Sequence, residues 1–119
     1  MRVITGKARG LVLKTPTGMA TRPTADRVKE AIFNIIQFEV PTARVLDLFG
    51  GTGQLGIEAL SREAKSAVFV DEREDACRLI RENLKRTKLE QYGRVMRSDY
   101  MAYLKTCKDK FDIILLDPP

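Results

Sequence analysis

The chain has 119 residues, 44% of them hydrophobic, with two cysteines and no histidine. That is enough for one domain with a modest core, and it excludes a histidine-centred zinc site or a histidine acid–base mechanism. The formal net charge of +5 is unevenly placed: residues 1–30 hold seven basic groups (Arg2, Lys7, Arg9, Lys14, Arg22, Arg27, Lys29) against Asp26 and Glu30, while the rest holds 14 basic and 14 acidic groups.

A basic segment on a neutral body suits an RNA or DNA partner, with a solvated surface segment as the plainer alternative. Cys77 and Cys107 form no CxxC pair, the start MRVITGK lacks an apolar signal region, and no apolar run approaches the ~20 residues of a membrane span. A reduced, cytoplasmic protein with no membrane partner and no metal site is expected.

In chain order, VIT and LVLK flank GKARG and predict a hairpin with Lys7 and Arg9 at its tip. Pro16 and Gly18 mark a turn. Thr24 then caps a helix starting at Ala25, with Asp26 in the first turn, where the helix dipole favours negative charge. Val28, Ala31, Ile32, Ile35 and Ile36 recur at helical spacing and predict its buried face. Residues 1–40 thus read as a basic hairpin-and-helix unit, and 41–119 as a second unit.

From Arg44 the pattern alternates. RVLDLF reads as a short buried strand and SAVFVD, RVMRSD and FDIILLD as three further strands, separated by helices near Gln54–Arg62, Asp75–Lys88 and Tyr100–Cys107. Ala76, Leu79, Ile80 and Leu84 point the second of these helices inward. Such alternation predicts an α/β fold, a doubly wound and mostly parallel sheet with right-handed crossovers.

The loop between the first strand and its helix contains Gly51-Thr52-Gly53-Gln54-Leu55-Gly56, a literal GxGxxG. Glycines there allow a sharp turn and close approach of a ligand to the helix N-terminus. A dinucleotide is the first implication, but Asp47 lies inside the strand end. A carboxylate repels a pyrophosphate and attracts an amino or sulfonium cation. Asp71, at the second strand end, fits a ribose diol in either case. Asp117-Pro118-Pro119 has no role in hydride transfer.

Together, Asp47-x-Phe49-x-Gly51-x-Gly53-x-x-Gly56, Asp71, Ser98-Asp99 and Asp117-Pro118-Pro119 resemble the class I S-adenosylmethionine-dependent methyltransferases, in particular the amino-methylating branch with its [Asn/Asp/Ser]-Pro-Pro-aromatic motif. ITGKARG with TRPTADRVKEAIFNII resembles the bacterial 16S ribosomal RNA guanine-N2 methyltransferases. The likeness spans essentially all 119 residues. It implies a Rossmann-like fold, S-adenosylmethionine as cofactor and ribosomal RNA or the small ribosomal subunit as partner. Adenine-N6 methylation of nucleic acid and a non-catalytic cofactor- or RNA-binding fragment are the alternatives.

By this resemblance Asp47 and the Gly51–Gly53 backbone hold the methionine part of the cofactor, Asp71 the ribose and Asp99 the adenine amino group, with Phe49 and Ser98 also in the cofactor site. Arg22 and Thr24 reach its carboxylate. Arg2, Lys7, Arg9 and Arg22 contact RNA, although Leu11 stands where the family tends to continue with a base. Asp117 and a rigid Pro118-Pro119 shelf accept the two N–H bonds of the target amino group. The aromatic expected after Pro119 is absent. The strand order implied is 3-2-1-4, with the fourth strand an open edge. That reading makes the chain a truncated one with little turnover, inclined to self-association through Ile113–Leu116.

Overall fold

In the computed structural model, residues 1–15 and 23–117 are described. Arg22, Pro118, Pro119 and the predicted turn at Pro16 and Gly18 lie outside these residues, as does the Thr24 side chain. The elements are α1 (Pro23–Ile36), β1 (Arg44–Leu48), α2 (Gln54–Ser61), β2 (Ser66–Asp71), α3 (Glu74–Arg86), a 3₁₀ turn (Glu90–Tyr92), β3 (Gly93–Arg97), α4 (Tyr100–Thr106) and β4 (Ile113–Leu116). Within the four-stranded sheet the strands pair in parallel, in the order β3-β2-β1-β4. The α/β class and the strand order are as the sequence predicts. β4 pairs only with β1 among the described residues.

Successive strand residues face opposite sides, and the core divides accordingly. Val45 and Phe69 pack with Ile57, Leu60, Ile80 and Leu84 of α2 and α3, while Leu46, Leu48 and Val70 pack with Tyr103 of α4. Val3, Ala8, Leu13 and Phe33 belong to the first cluster, so the N-terminal segment adds to the same hydrophobic core as the strands. Gly56 permits the tight approach of α2 to the sheet: a Cβ there would stand 2.3 Å from the Phe69 ring.

Three expectations need correction. The hairpin forms, with the Arg2–Val12 antiparallel bridge and bonds from the Val3, Gly10 and Leu13 N–H groups to the Leu11, Val3 and Met1 carbonyls, but its turn is docked: Ala8 is buried in the core and the Lys7 N–H donates to the Ser61 carbonyl (2.8 Å). The segment lies down on α2 rather than projecting a tip. Helix α1 starts at Pro23, not Ala25, since proline suits a first helical turn, where no N–H partner exists. Thr24 therefore lies inside the helix and not at its cap.

The third correction is the buried face of α1. Phe33 and Lys29 are buried, whereas Val28 and Ile35 are 54% and 79% exposed and Ala31 is also exposed; Ile32 and Ile36 are partly covered. The observed inward face carries Phe33 in the core and Lys29 paired with Glu58 (3.3 Å).

Candidate functional site

Strand alternation places Asp47 on the same side as Val45, facing α2. It is buried, and its Oδ2 accepts from the Gly56 N–H in the first turn of α2 (3.0 Å). Among the described residues no cationic side chain pairs with it. Burial, with smaller contributions from the charges of Asp117 and Asp71, pushes its carboxyl pKa up to about 8 from the usual 3.8. A cation arriving beside Asp47 would reverse that preference and hold it ionised.

The chain then turns sharply. Phe49 has φ 60, and Gly51 and Gly53 have φ 61 and 82. The left-handed region costs a bulky residue about 1–3 kcal/mol, so Phe49 is held there by its surroundings; its ring packs on Tyr100 with centroids 4.9 Å apart. Gly53 is the residue before α2 and lies buried. At the end of β2, Asp71 accepts from the Gly51 N–H through Oδ2 (3.2 Å) and from the Arg73 N–H through Oδ1 (3.0 Å). Each oxygen keeps a second lone pair for a donor such as a hydroxyl. After β3, Asp99 caps α4 by accepting from the Ala102 N–H (3.1 Å), and the Ser98 hydroxyl donates to the Asp99 carbonyl (2.9 Å).

These strand ends surround one cavity of about 840 Å³, within the size range of small-molecule sites. Asp47, Phe49, Gly51, Asp71, Ser98, Asp99 and Asp117 all line it, with Ser98 and Asp99 following β3 at one end of the strand order and Asp117 following β4 at the other. It sits where the strand order reverses, the usual ligand position in open α/β sheets. Its wall holds seven acidic residues against the three basic residues Lys14, Arg73 and Arg78. That balance favours a cation and disfavours a pyrophosphate. Gly53 does not line the cavity but shapes the loop that does.

Several wall residues were not singled out by sequence. Tyr100, directly after the Asp99 cap, and Gln54, directly after Gly53, both line the cavity, and the Gln54 Oε1 is buried without a hydrogen-bond partner among the described residues. Their positions next to motif residues were the available signal. Lys14 and Thr15 line it too, and nothing in their local pattern suggests that.

The candidate RNA contacts divide. Arg2 and Arg9 are exposed. Lys7 is engaged on the body, paired with Glu63 (3.2 Å) and set over the Tyr92 ring at 4.9 Å. No group of residues suited to a metal occurs among the described residues, and no described helix is long and apolar enough to cross a membrane.

The family profile described as Conserved hypothetical protein 95 matches residues 1–119. The chain belongs to that family. It is 44% identical over 122 residues to YlbH of Bacillus subtilis, covering all of this chain and 66% of that protein. It is 36% identical over 119 residues to the Ribosomal RNA small subunit methyltransferase D of Escherichia coli K12, covering all of this chain and 60% of that one. Among solved structures, Escherichia coli yhhF superposes with a TM-score of 0.90 at 37% identity, covering all of this chain and 64% of that chain. The chain thus spans 60–66% of the length of these relatives.

Proposed function

We propose that this chain carries the S-adenosylmethionine site of an rRNA methyltransferase whose target is the exocyclic N2 amino group of a guanine in small-subunit ribosomal RNA. The observation that carries this reading is the convergence of Asp47, Asp71, Asp99 and Asp117, from four successive strand ends, on one acid-rich cavity. Relatives named Ribosomal RNA small subunit methyltransferase D, at 35% and 36% identity, support the RNA class.

The donor set fits the cofactor. Asp47, raised in pKa and unpaired by any described cation, suits the positively charged methionine end, Asp71 suits the ribose diol, and Asp99 suits the adenine amino group. Bound there, S-adenosylmethionine supplies a sulfonium methyl open to in-line displacement by an amine. The residues of the chain then act by position. Asp117 accepts an N–H of the target amino group, which directs the nitrogen lone pair at the methyl and opposes its delocalisation into the base. The Asp-Pro-Pro motif assigns Pro118 and Pro119, which lack N–H donors, to the same accepting role. The exposed Arg2 and Arg9, together with Arg22, contribute phosphate contacts whose strength falls with salt.

Calorimetric titration with S-adenosylmethionine, with NADH as comparator, tests the cofactor. Binding of the former alone, lost in Asp71→Ala, is the expected result; binding of NADH alone overturns the reading. Incubation with methyl-labelled cofactor and, in parallel, small-subunit rRNA and adenine-containing DNA tests the base, for this chain and for a full-length relative.

A further inference from the structure

Asn83 is a polar side chain on the inward face of α3, wholly buried beside Ile80 and Leu84. A buried amide is costly unless its hydrogen bonds are made. None of its side-chain bonds stays within its own helix. Nδ2 donates to the Thr52 carbonyl (2.8 Å) and to the Lys14 carbonyl (3.0 Å), and Oδ1 accepts from the Lys14 N–H (2.7 Å). Two carbonyls and one N–H as partners fix which end of the amide is nitrogen.

The two segments it holds are neither helix nor strand, and both form cavity wall: Thr52 in the glycine loop, Lys14 and Thr15 in the N-terminal segment. The nearby ion pair of Lys14 with Glu82 (3.0 Å) is solvent-exposed and contributes little by itself. The amide is therefore the main polar tie between residues 14–15 and the loop that faces the ligand, beside the longer contact from the Thr52 hydroxyl to the Met1 Sδ (3.5 Å) at the start of the segment. We propose that Asn83 is a positioning residue that fastens residues 14–15, at the end of the N-terminal segment, to the glycine loop, so that one side chain sets two parts of the cofactor wall. This rests on the cavity being the S-adenosylmethionine site. Only asparagine at this position supplies both a two-hydrogen donor and an acceptor at this length. Aspartate keeps the acceptor and loses both donors, and leucine loses all three bonds.

The test compares Asn83→Leu with Leu84→Ala, the latter a neighbouring buried residue that packs near Gly93 and lies outside the cavity wall. Three quantities are measured for each: S-adenosylmethionine affinity by calorimetry, urea stability, and amide hydrogen exchange at residues 14–15 and 51–53 without ligand. Asn83→Leu is expected to weaken binding about tenfold and to speed exchange at both segments. Leu84→Ala is expected to lose stability while keeping affinity within about twofold. If Asn83→Leu matches Leu84→Ala in affinity and leaves exchange at both segments unchanged, the positioning role is overturned. Should Asn83→Leu fail to fold, Asn83→Asp carries the same comparison. A wild-type chain that binds no S-adenosylmethionine would sink the cofactor reading, while the exchange data would still decide the fastening.

Discussion

Glu58 and Asp47 are both carboxylates withdrawn from water, at 0% and 1% exposure, and α2 meets both of them. Glu58 accepts from the Ile4 and Thr5 N–H groups (2.9 and 3.1 Å) and pairs with Lys29 (3.3 Å) and Arg62 (2.9 Å). Asp47 has one backbone N–H and two acids as electrostatic neighbours. The first environment satisfies its charge and joins the N-terminal segment to the body. The second raises the cost of charge and adjoins a cavity. Burial alone therefore does not mark a functional acid; the shortage of compensating partners does.

The sharpest way to break this contrast is Glu58→Ala. It leaves Lys29, 1% exposed, with only the Arg2 carbonyl (2.8 Å) as a described hydrogen-bond partner, and it strands two amides. Loss of one member of a buried pair costs about 3–5 kcal/mol. Urea unfolding should show that loss, with faster amide exchange at residues 4–5. A loss below 1 kcal/mol would mean that the N-terminal segment is not held this way.

Next in size is Gly56→Ala, which acts on the one hydrogen bond that Asp47 has. The added methyl would collide with Phe69 and push the first turn of α2 off the sheet. Overpacking of this kind costs about 1–3 kcal/mol, and here it should also weaken ligand binding because the Asp47 contact moves with the helix. Unchanged thermal stability would show that the sheet yields instead.

Asp47→Asn separates function from stability. Asparagine can still accept from the Gly56 N–H but cannot become an anion, so S-adenosylmethionine affinity should fall at least about tenfold with no loss of folding stability at neutral pH. The pH dependence gives a second reading. Because the folded pKa lies near 8 and the ordinary value is 3.8, the folded chain holds a proton that the unfolded chain has released. This contribution to stability is complete below about pH 4 and is lost as pH rises through about 8. Asp47→Asn should flatten that slope. Ligand binding at pH 7 should release a proton from wild type, visible as a buffer-dependent calorimetric enthalpy, and not from the variant.

How much of this could be read from the residues depends on whether the governing interaction is local. The strand order and the acids at the strand ends follow from patterns a few residues wide, so Asp47, Asp71, Asp99 and Asp117 were named and do share a cavity. The lining by Lys14 and Thr15 depends on Asn83, 69 positions away. The docking of Lys7 depends on Glu63 and Tyr92. Pairings across such separations leave no periodic trace.

Helix α1 gives the smallest expected effect and a test of the same point. Its sequence offers two inward faces. One contains Val28, Ala31 and Ile35; the other contains Lys29, Phe33 and Ile36. Apolar spacing alone favours the first, yet the second is the one turned inward, with Phe33 in the core and Lys29 paired with Glu58. Ile35→Ser should then change stability by no more than about 0.5 kcal/mol, the range of a surface substitution. Were the apolar face inward, the same change would cost several times that through lost burial and an unpaired hydroxyl. Urea unfolding of this single variant distinguishes the two rolls, and repeating it in a Glu58→Ala background asks whether the ion pair chose between them: if it did, the cost of Ile35→Ser should rise once Glu58 is gone.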